Sequence, residues 1–443
     1  MYRILIADIV PSLNKGEMTI LEGMLESFKP LGEVEVAMLS DMAEIDAPRY
    51  GTKVKIVDLR DSLRVFGQLR GLSRLFASIL FLFQHLLFIC LHKVLRLKAL
   101  KLMRSEIWRQ YVQSDVIILG HDGTFNTLIP LPFYNLYSTL LAKSLGKPIV
   151  FYGGSISQSR ELPWFLRKGA RFALRKMDLI SNQMDLITLR ENVTYRYMKD
   201  IGVRNERLFV TADPAFLLQP ASAERTREIM VAEGLDRARR PLIGITANRA
   251  TASQAFPDLG DHDSGYQKHN QLLAGVIDHL TSSLDASVVF VPHCIGFGEE
   301  DDDRIVAKDV LLKCRNKDRV KVIDNEYSAA ELKGLIGQFD LFIGERIHSV
   351  INAMTMCVPS IALTHSGDQR LDMIRMLGQE NAIHHIENLA GDSLASKANQ
   401  VWLQRDEIRK ALRDQTRVVQ ERAMLNGSLL KEVLTTEREG SGR

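Results

Sequence analysis

Ile4-Leu5-Ile6-Ala7-Asp8-Ile9-Val10, followed after a polar loop by Met18-Thr19-Ile20-Leu21-Glu22-Gly23-Met24-Leu25-Glu26-Ser27-Phe28, decides how the chain is read. The first run has the near-continuous apolar character of a strand buried on both faces. The second places Ile20, Leu21, Met24, Leu25 and Phe28 at helical spacing. Together they open a β-α unit, and the pattern propagates. Apolar runs recur at Val34 to Leu39, Val54 to Val57, Val116 to Leu119 and Ile149 to Tyr152, with a helix-like Phe133 to Leu145 between the last two. From Pro241 it starts again, with strands expected at Leu242 to Thr246, Val288 to Val291, Val320 to Ile323, Leu341 to Ile343 and Ser360 to Leu363. Helix-like stretches such as Gln271 to Leu284 and Ala329 to Phe339 separate them. Strand–helix alternation implies parallel sheets covered on both faces. The expectation is an α/β protein of two Rossmann-like, doubly wound domains facing a cleft. Domain one spans 1–220, with an insertion at 60–109; domain two spans 221–400; a helical segment with a frayed tail from Thr435 fills 401–443. The boundary falls in Gln219 to Arg240.

Composition narrows the function. The chain has 443 residues, 46% of them hydrophobic, which excludes a disordered or disulfide-stapled protein. Its formal net charge of +3 argues against nucleic-acid binding by bulk electrostatics. Cys90, Cys294, Cys314 and Cys357 are far apart and form no Cys-x-x-Cys pair, so neither a zinc site nor a disulfide framework is expected. With no secretory leader read at Met1-Tyr2-Arg3, a cytoplasmic location is expected.

One segment departs from the average. Leu75 to Leu91 holds 17 residues without a charge, 14 of them apolar, inside a window (Arg60 to Arg109) with ten Lys or Arg against two acids. Phe76, Leu80, Phe83, Leu87 and Leu91 share one helical face, and Lys93, Arg96, Lys98, Lys101 and Arg104 follow. Such a segment suits docking on an anionic lipid surface, burial in the core, or a contact with a second copy of the chain. It is marginal for a span, which takes about 20 apolar residues.

Ligands of doubly wound sheets bind beyond the carboxyl ends of strands, so residues just after the strands are the candidates. Pro11 to Glu17, containing Asn14 and Glu17, is a polar loop entering a helix and matches neither a dinucleotide nor an ATP fingerprint. Gly120-His121-Asp122-Gly123-Thr124-Phe125-Asn126 and Tyr152-Gly153-Gly154-Ser155 end two strands; Asp122 suits a hydroxyl contact or proton transfer. Thr246-Ala247-Asn248-Arg249 and Gly344-Glu345-Arg346-Ile347-His348 each place a cation at a strand end, where an arginine grips a carboxylate or phosphate. His348 can transfer a proton near neutral pH. Val291-Pro292-His293-Cys294 adds a second histidine. The acidic run Glu299 to Asp303 reads as a solvated loop before a metal site.

The order of Asn14-x-Gly16-Glu17, Gly120-x-x-Gly123, Arg190-Glu191, Ile201-Gly202-Val203, Asp213-Pro214-Ala215-Phe216-Leu217-Leu218, Gly244-Ile245-Thr246, Pro292-His293 and Arg346-x-His348 before Val358-Pro359 resembles the polysaccharide pyruvyl transferase family. The resemblance implies a two-domain fold like that of the GT-B glycosyltransferases. It implies transfer of pyruvate from phosphoenolpyruvate onto sugar hydroxyls as a ketal, with phosphoenolpyruvate as co-substrate and neither metal nor cofactor. In that scheme Arg346, Arg249 and His293 hold the donor, and His348 is the acid/base. Asp122 is a second catalytic candidate, and with Asn14, Glu17 and Asn126 it binds the acceptor. Arg370 stands near where relatives carry a lysine, and His121-Asp122 stands where many have glycine. A lipid-linked acceptor gives the greasy, basic segment a role at the inner face of the cytoplasmic membrane. Two other readings stay open: a GT-B glycosyltransferase using a nucleotide sugar, and an inactive assembly factor that recruits other enzymes.

Overall fold

The computed structural model describes residues 1–7, 12–40, 42–58, 83, 87, 90, 106–120, 125–126, 138–157, 180–235, 240–256, 259, 262–296, 298 and 301–441. The chain divides into two compact units. One comprises Met1–Ser12, Ser27–Thr211 and Leu425–Arg443; the other comprises Leu13–Glu26 and Ala212–Met424.

The chain starts with β1 (Tyr2–Ile6), α1 (Lys15–Ser27), β2 (Val34–Ser40), α2 (Ala43–Tyr50) and β3 (Lys55–Asp58). It continues through α3 (Glu106–Gln113), β4 (Val116–Leu119), β5 (Phe125–Asn126), β6 (Ile149–Gly154), β7 (Ile156–Ser157), β8 (Leu186–Leu189), α4 (Asn192–Asp200) and β9 (Leu208–Val210). Seven of these strands form a sheet in the order β3-β2-β1-β4-β6-β8-β9, and β5 pairs with β7 apart from it. Every pairing in the large sheet is parallel. Residues of β4, β6 and β8 are buried without interruption, as a sheet covered on both faces requires. The buried Asp46 of α2 accepts hydrogen bonds from the Ser12 N–H (3.2 Å) and the Ser40 hydroxyl (2.5 Å), which anchors the chain where it leaves this unit.

The second unit contains α5 (Ala223–Ala232), β10 (Leu242–Thr246), α6 (Arg249–Gln254), α7 (His262–Ser283), β11 (Ser287–Phe290), α8 (Asp303–Lys313), β12 (Val320–Val322), α9 (Ala329–Ile336) and β13 (Leu341–Gly344). It closes with α10 (Ile347–Thr355), β14 (Ser360–Thr364), α11 (Leu371–Met376), β15 (Ile383–His385), α12 (Gly391–Leu403) and most of α13 (Arg405–Ser441). Its six strands run parallel in the order β12-β11-β10-β13-β14-β15. Strand order reverses between β10 and β13, where Thr246 lies opposite Gly344, and this is the switch point at which doubly wound sheets bind ligands. Alternate residues serve two cores, with Ile243, Val288, Phe290 and Ile343 on one face and Leu242, Val289, Val291 and Phe342 on the other.

Helix α1 belongs to this second unit, although the strand before it belongs to the first. Its sequence permits the close approach: a Cβ at Gly23 would lie 1.9 Å from the Pro214 carbonyl oxygen. Asn14 and Glu17, expected on the acceptor side with the first domain, are therefore part of the second unit.

The tail departs from expectation. Instead of fraying at Thr435, α13 continues to Ser441; its buried face, with Leu430, Val433 and Leu434, ends just before that extension. Strands β8, β9 and β15 were not anticipated; β15 reads Ile-His-His and has no apolar run to betray it. Of the Leu75 to Leu91 segment only Phe83, Leu87 and Cys90 are described, all helical and all exposed. Ile9, Val10, His121, Asp122 and the start of the Phe133 helix lie outside the described residues. No helix of the described residues is long and apolar enough to cross a membrane.

Candidate functional site

The chain after β11 is held from two sides. The His293 carbonyl accepts the Lys15 N–H (2.7 Å), the Ile295 N–H donates to the Leu13 carbonyl (3.0 Å), and Asn14 bridges Cys294 in antiparallel fashion. From the other side, the Asp303 carboxylate accepts the backbone N–H groups of His293 (3.0 Å) and Cys294 (2.9 Å). The backbone of His293, which is 1% exposed, is thereby bonded once from each side.

Asp303 also grips Arg346. Nη2 donates to Oδ1 at 2.7 Å and Nε reaches both carboxylate oxygens at 3.2 and 3.3 Å. Burial raises the Asp303 carboxyl even against the pull of Arg346, whose own value burial opposes and Asp303 drives up. The acidic run read as solvated thus ends in a buried orienting group. Among the described residues, no group of three or more His, Cys, Asp or Glu is arranged to hold a metal ion.

His348, the second residue of α10, is buried, and its Nε2 lies 3.5 Å from Asp213 Oδ2. Asp213 is fully buried; its other oxygen accepts the Ala215 N–H at 2.8 Å and so caps the turn over Pro214–Leu217. Gly16 lies against the opposite edge of the imidazole: a Cβ there would come within 3.1 Å of His348 Nδ1. One turn further along both helices, the Asn352 amide donates to the Thr19 hydroxyl at 3.3 Å.

His293 is pushed down to about 3, first by burial and then by His348, Arg346 and Lys15, so it is neutral at any physiological pH. Neither of its ring nitrogens carries a hydrogen bond among the described residues. A neutral imidazole with both nitrogens open, beside a fixed guanidinium and a second histidine backed by a carboxylate, can bind an anion and move a proton.

The other candidates are placed as follows. Arg249 begins α6, lies 4.6 Å over the Tyr266 ring and is 3.6 Å from Asp263. Glu17 is buried in α1. Asn126 lies in β5 of the first unit, paired with Ser157, and only its backbone is described. Arg370 is held in a fork by Asp368, which this contact helps lower to about 2 against its burial. The second unit thus brings together Asn14, His293, Arg346 and His348. Sequence reasoning assigned no role to Asp213, Asp303, Lys15 or Glu345. Only the position of Asp213 within Asp-Pro-Ala-Phe-Leu-Leu, and of Glu345 and Lys15 beside motif residues, signals any of them; Asp303 is hidden in its acidic run.

Comparison with known proteins extends this description. A family model for polysaccharide pyruvyl transferase matches residues 14–367. The amylovoran biosynthesis protein AmsJ of Erwinia amylovora is 24% identical over 327 residues, covering 73% of each chain. Among solved structures, Anabaena HepE in complex with UDP and glucose superposes with a TM-score of 0.56 at 12% identity, over 98% of this chain and 100% of that one. UDP-GlcNAc 2-epimerase from Neisseria meningitidis, bound to UDP-GlcNAc, gives a TM-score of 0.53 at 12% identity, over 93% and 94%. These likenesses show a fold of two Rossmann-like units of the GT-B type.

Proposed function

The chain belongs to the polysaccharide pyruvyl transferase family, and from that premise we propose that it moves pyruvate from phosphoenolpyruvate onto two hydroxyls of a sugar as a ketal. The family concerns transfer to polysaccharide, and the amylovoran relative points to exopolysaccharide biosynthesis as the setting.

The observation that carries the proposal is the placement of Arg346, locked by Asp303, beside neutral His293 and the His348–Asp213 pair. Phosphoenolpyruvate carries charge at both ends. Arg346 grips one pole, Arg249 takes the other, and His293 donates a hydrogen bond without adding charge. Arg370 adds positive potential near Arg346. Two hydroxyls attack C2 in turn, the C2–O bond to phosphate breaks, and C3 becomes a methyl group. The two hydroxyl protons balance the reaction, one ending on C3 and one on phosphate. His348 carries protons between these positions, with Asp213 behind Nε2 to steady the imidazolium. Asp122, with Asn14, Glu17 and Asn126, serves the acceptor. No metal or cofactor is needed in this scheme.

A lipid-linked acceptor and membrane docking complete the reading. Phe83 is 63% exposed and Leu87 is 47% exposed, at helical spacing within a strongly basic stretch, which supports insertion among anionic headgroups. The test is acceptor-dependent phosphate release from phosphoenolpyruvate, wild type beside His348→Ala, over free and lipid-linked sugars. Loss of release in the variant is the expected result. Absence of release with every acceptor, joined to thermal stabilisation by a nucleoside diphosphate but not by phosphoenolpyruvate, would replace this reading with a nucleotide-sugar glycosyltransferase.

A further inference from the structure

The catalytic scheme leaves a buried histidine of the second unit unused. His269 on α7 is 0% exposed, and its Nε2 lies 2.6 Å from Glu345 Oε1, while Nδ1 is 3.0 Å from Asn270 Oδ1. Glu345 is the first residue beyond β13 and immediately precedes Arg346. Its second carboxylate oxygen accepts the Asn248 N–H at 2.8 Å, and its carbonyl accepts the Asn248 side-chain amide at 3.3 Å. Asn248 in turn caps α6 through the Thr251 N–H and immediately precedes Arg249.

The two loops tied together are those at the switch point between β10 and β13, and each ends in an arginine. The same face of α7 reaches both. Tyr266, one turn before His269, lies under the Arg249 guanidinium and donates its hydroxyl to Asp309 at 2.7 Å. Burial disfavours a charged His269, but the Glu345 carboxylate outweighs it and the imidazole is raised, so the contact is a strong, charge-assisted one. A fully buried histidine facing a fully used carboxylate fixes that carboxylate in one orientation.

We propose that Tyr266 and His269 form a bracket on α7 that sets the spacing of Arg249 and Arg346, with His269 a positioning residue acting through Glu345. The inference rests on the reading of those arginines as the grip on the two poles of the donor. A carboxylate–phosphate dianion of fixed length rewards a fixed separation of cations, so the bracket selects donors by the distance between their charges.

Steady-state kinetics with His269→Phe, His269→Gln and Glu345→Gln tests this. His269→Phe is expected to lower kcat/KM for phosphoenolpyruvate on the order of 10- to 100-fold, through donor KM, with acceptor KM unchanged. His269→Gln, which can still donate to Glu345, recovers most of it. Equal rises in both KM values, an unchanged donor KM, or Gln no better than Phe would overturn the bracket. A second readout needs neither donor nor turnover: the arginine Nε–H NMR signals of the ligand-free protein. Those of Arg249 and Arg346 should shift in His269→Phe and Glu345→Gln and lie close to wild type in His269→Gln, while that of Arg225, on α5, stays put in all three; signals unshifted in His269→Phe would also overturn the proposal. Wild type that ignores phosphoenolpyruvate yet shows these shifts would fail the donor assignment alone.

Discussion

His348 Nε2 faces Asp213 Oδ2 across 3.5 Å, and the carboxylate is completely buried. A buried carboxylate 3.5 Å from an imidazole nitrogen stabilises the charged ring once it takes a proton. His348→Ala is therefore expected to lose roughly 10²- to 10⁴-fold in turnover, the usual worth of a general acid or base. Asp213→Asn keeps the shape and removes the charge, so turnover should fall while donor KM moves little. Acceptor-dependent phosphate release measures both, and a normal rate for Asp213→Asn would remove the carboxylate from the mechanism.

Arg346 and Asp303 are a second pair whose separation has a predictable cost. The carboxylate is buried while the guanidinium side chain is 27% exposed, so the two are not equivalent. Removing one partner of a buried pair typically costs about 3–5 kcal/mol. Arg346→Met strands the buried carboxylate and belongs in that range. Asp303→Asn leaves a cation that can still reach water and should cost less, although it weakens the bonds to His293 and Cys294. Urea unfolding of both variants ranks them, and the reverse order would mean that the backbone contacts dominate.

Much of the site was readable from the chain because strands buried in parallel sheets appear as apolar runs. The residue after such a run is placed by topology alone, which is how His293, Arg346 and His348 come to be candidates. Their partners were not readable, since Asp213 and His348 are 135 positions apart along the sequence. Asp303 was disguised by its acidic neighbours, and nothing in a polar histidine on α7 announces a buried contact with Glu345. The placement of α1 in the second unit left one trace, glycines at positions 16 and 23, whose meaning appears only when the surfaces they touch are known.

Those glycines give a third prediction. In an isolated helix Gly→Ala gains roughly 1 kcal/mol. At Gly23 the added Cβ meets backbone at 1.9 Å, and backbone cannot swing aside as a side chain does. Overpacking costs typically about 1–3 kcal/mol, so the clash wins. Gly23→Ala should melt earlier and, by shifting the Pro214 turn, loosen Asp213. At Gly16 the atoms nearest to an added Cβ are side-chain atoms of Asn14 and His348 at 3.1–3.3 Å, so Gly16→Ala should affect activity more than melting temperature. Thermal melts beside phosphate-release rates separate the two, and a stabilised Gly23→Ala would contradict the packing.

Lys333 supplies the pH dependence. It is 2% exposed on α9, donates from Nζ to the Leu218 carbonyl at 2.7 Å, and is pushed down to about 7 by burial. The unfolded chain keeps its lysine near the ordinary value of about 10.4. Between those two values the unfolded state binds the extra proton, so stability rises with pH across that window. Below pH 7 both states are protonated and the full cost of burying the ammonium is present. Lys333→Met removes this slope; it loses one hydrogen bond, worth about 1 kcal/mol net, but also loses the buried charge. The variant should equal or exceed wild type in stability at pH 6 and lose ground steadily towards pH 9.5. Urea midpoints at the two pH values decide it: a difference between variant and wild type that does not change with pH would mean that Lys333 keeps an ordinary proton affinity in the fold.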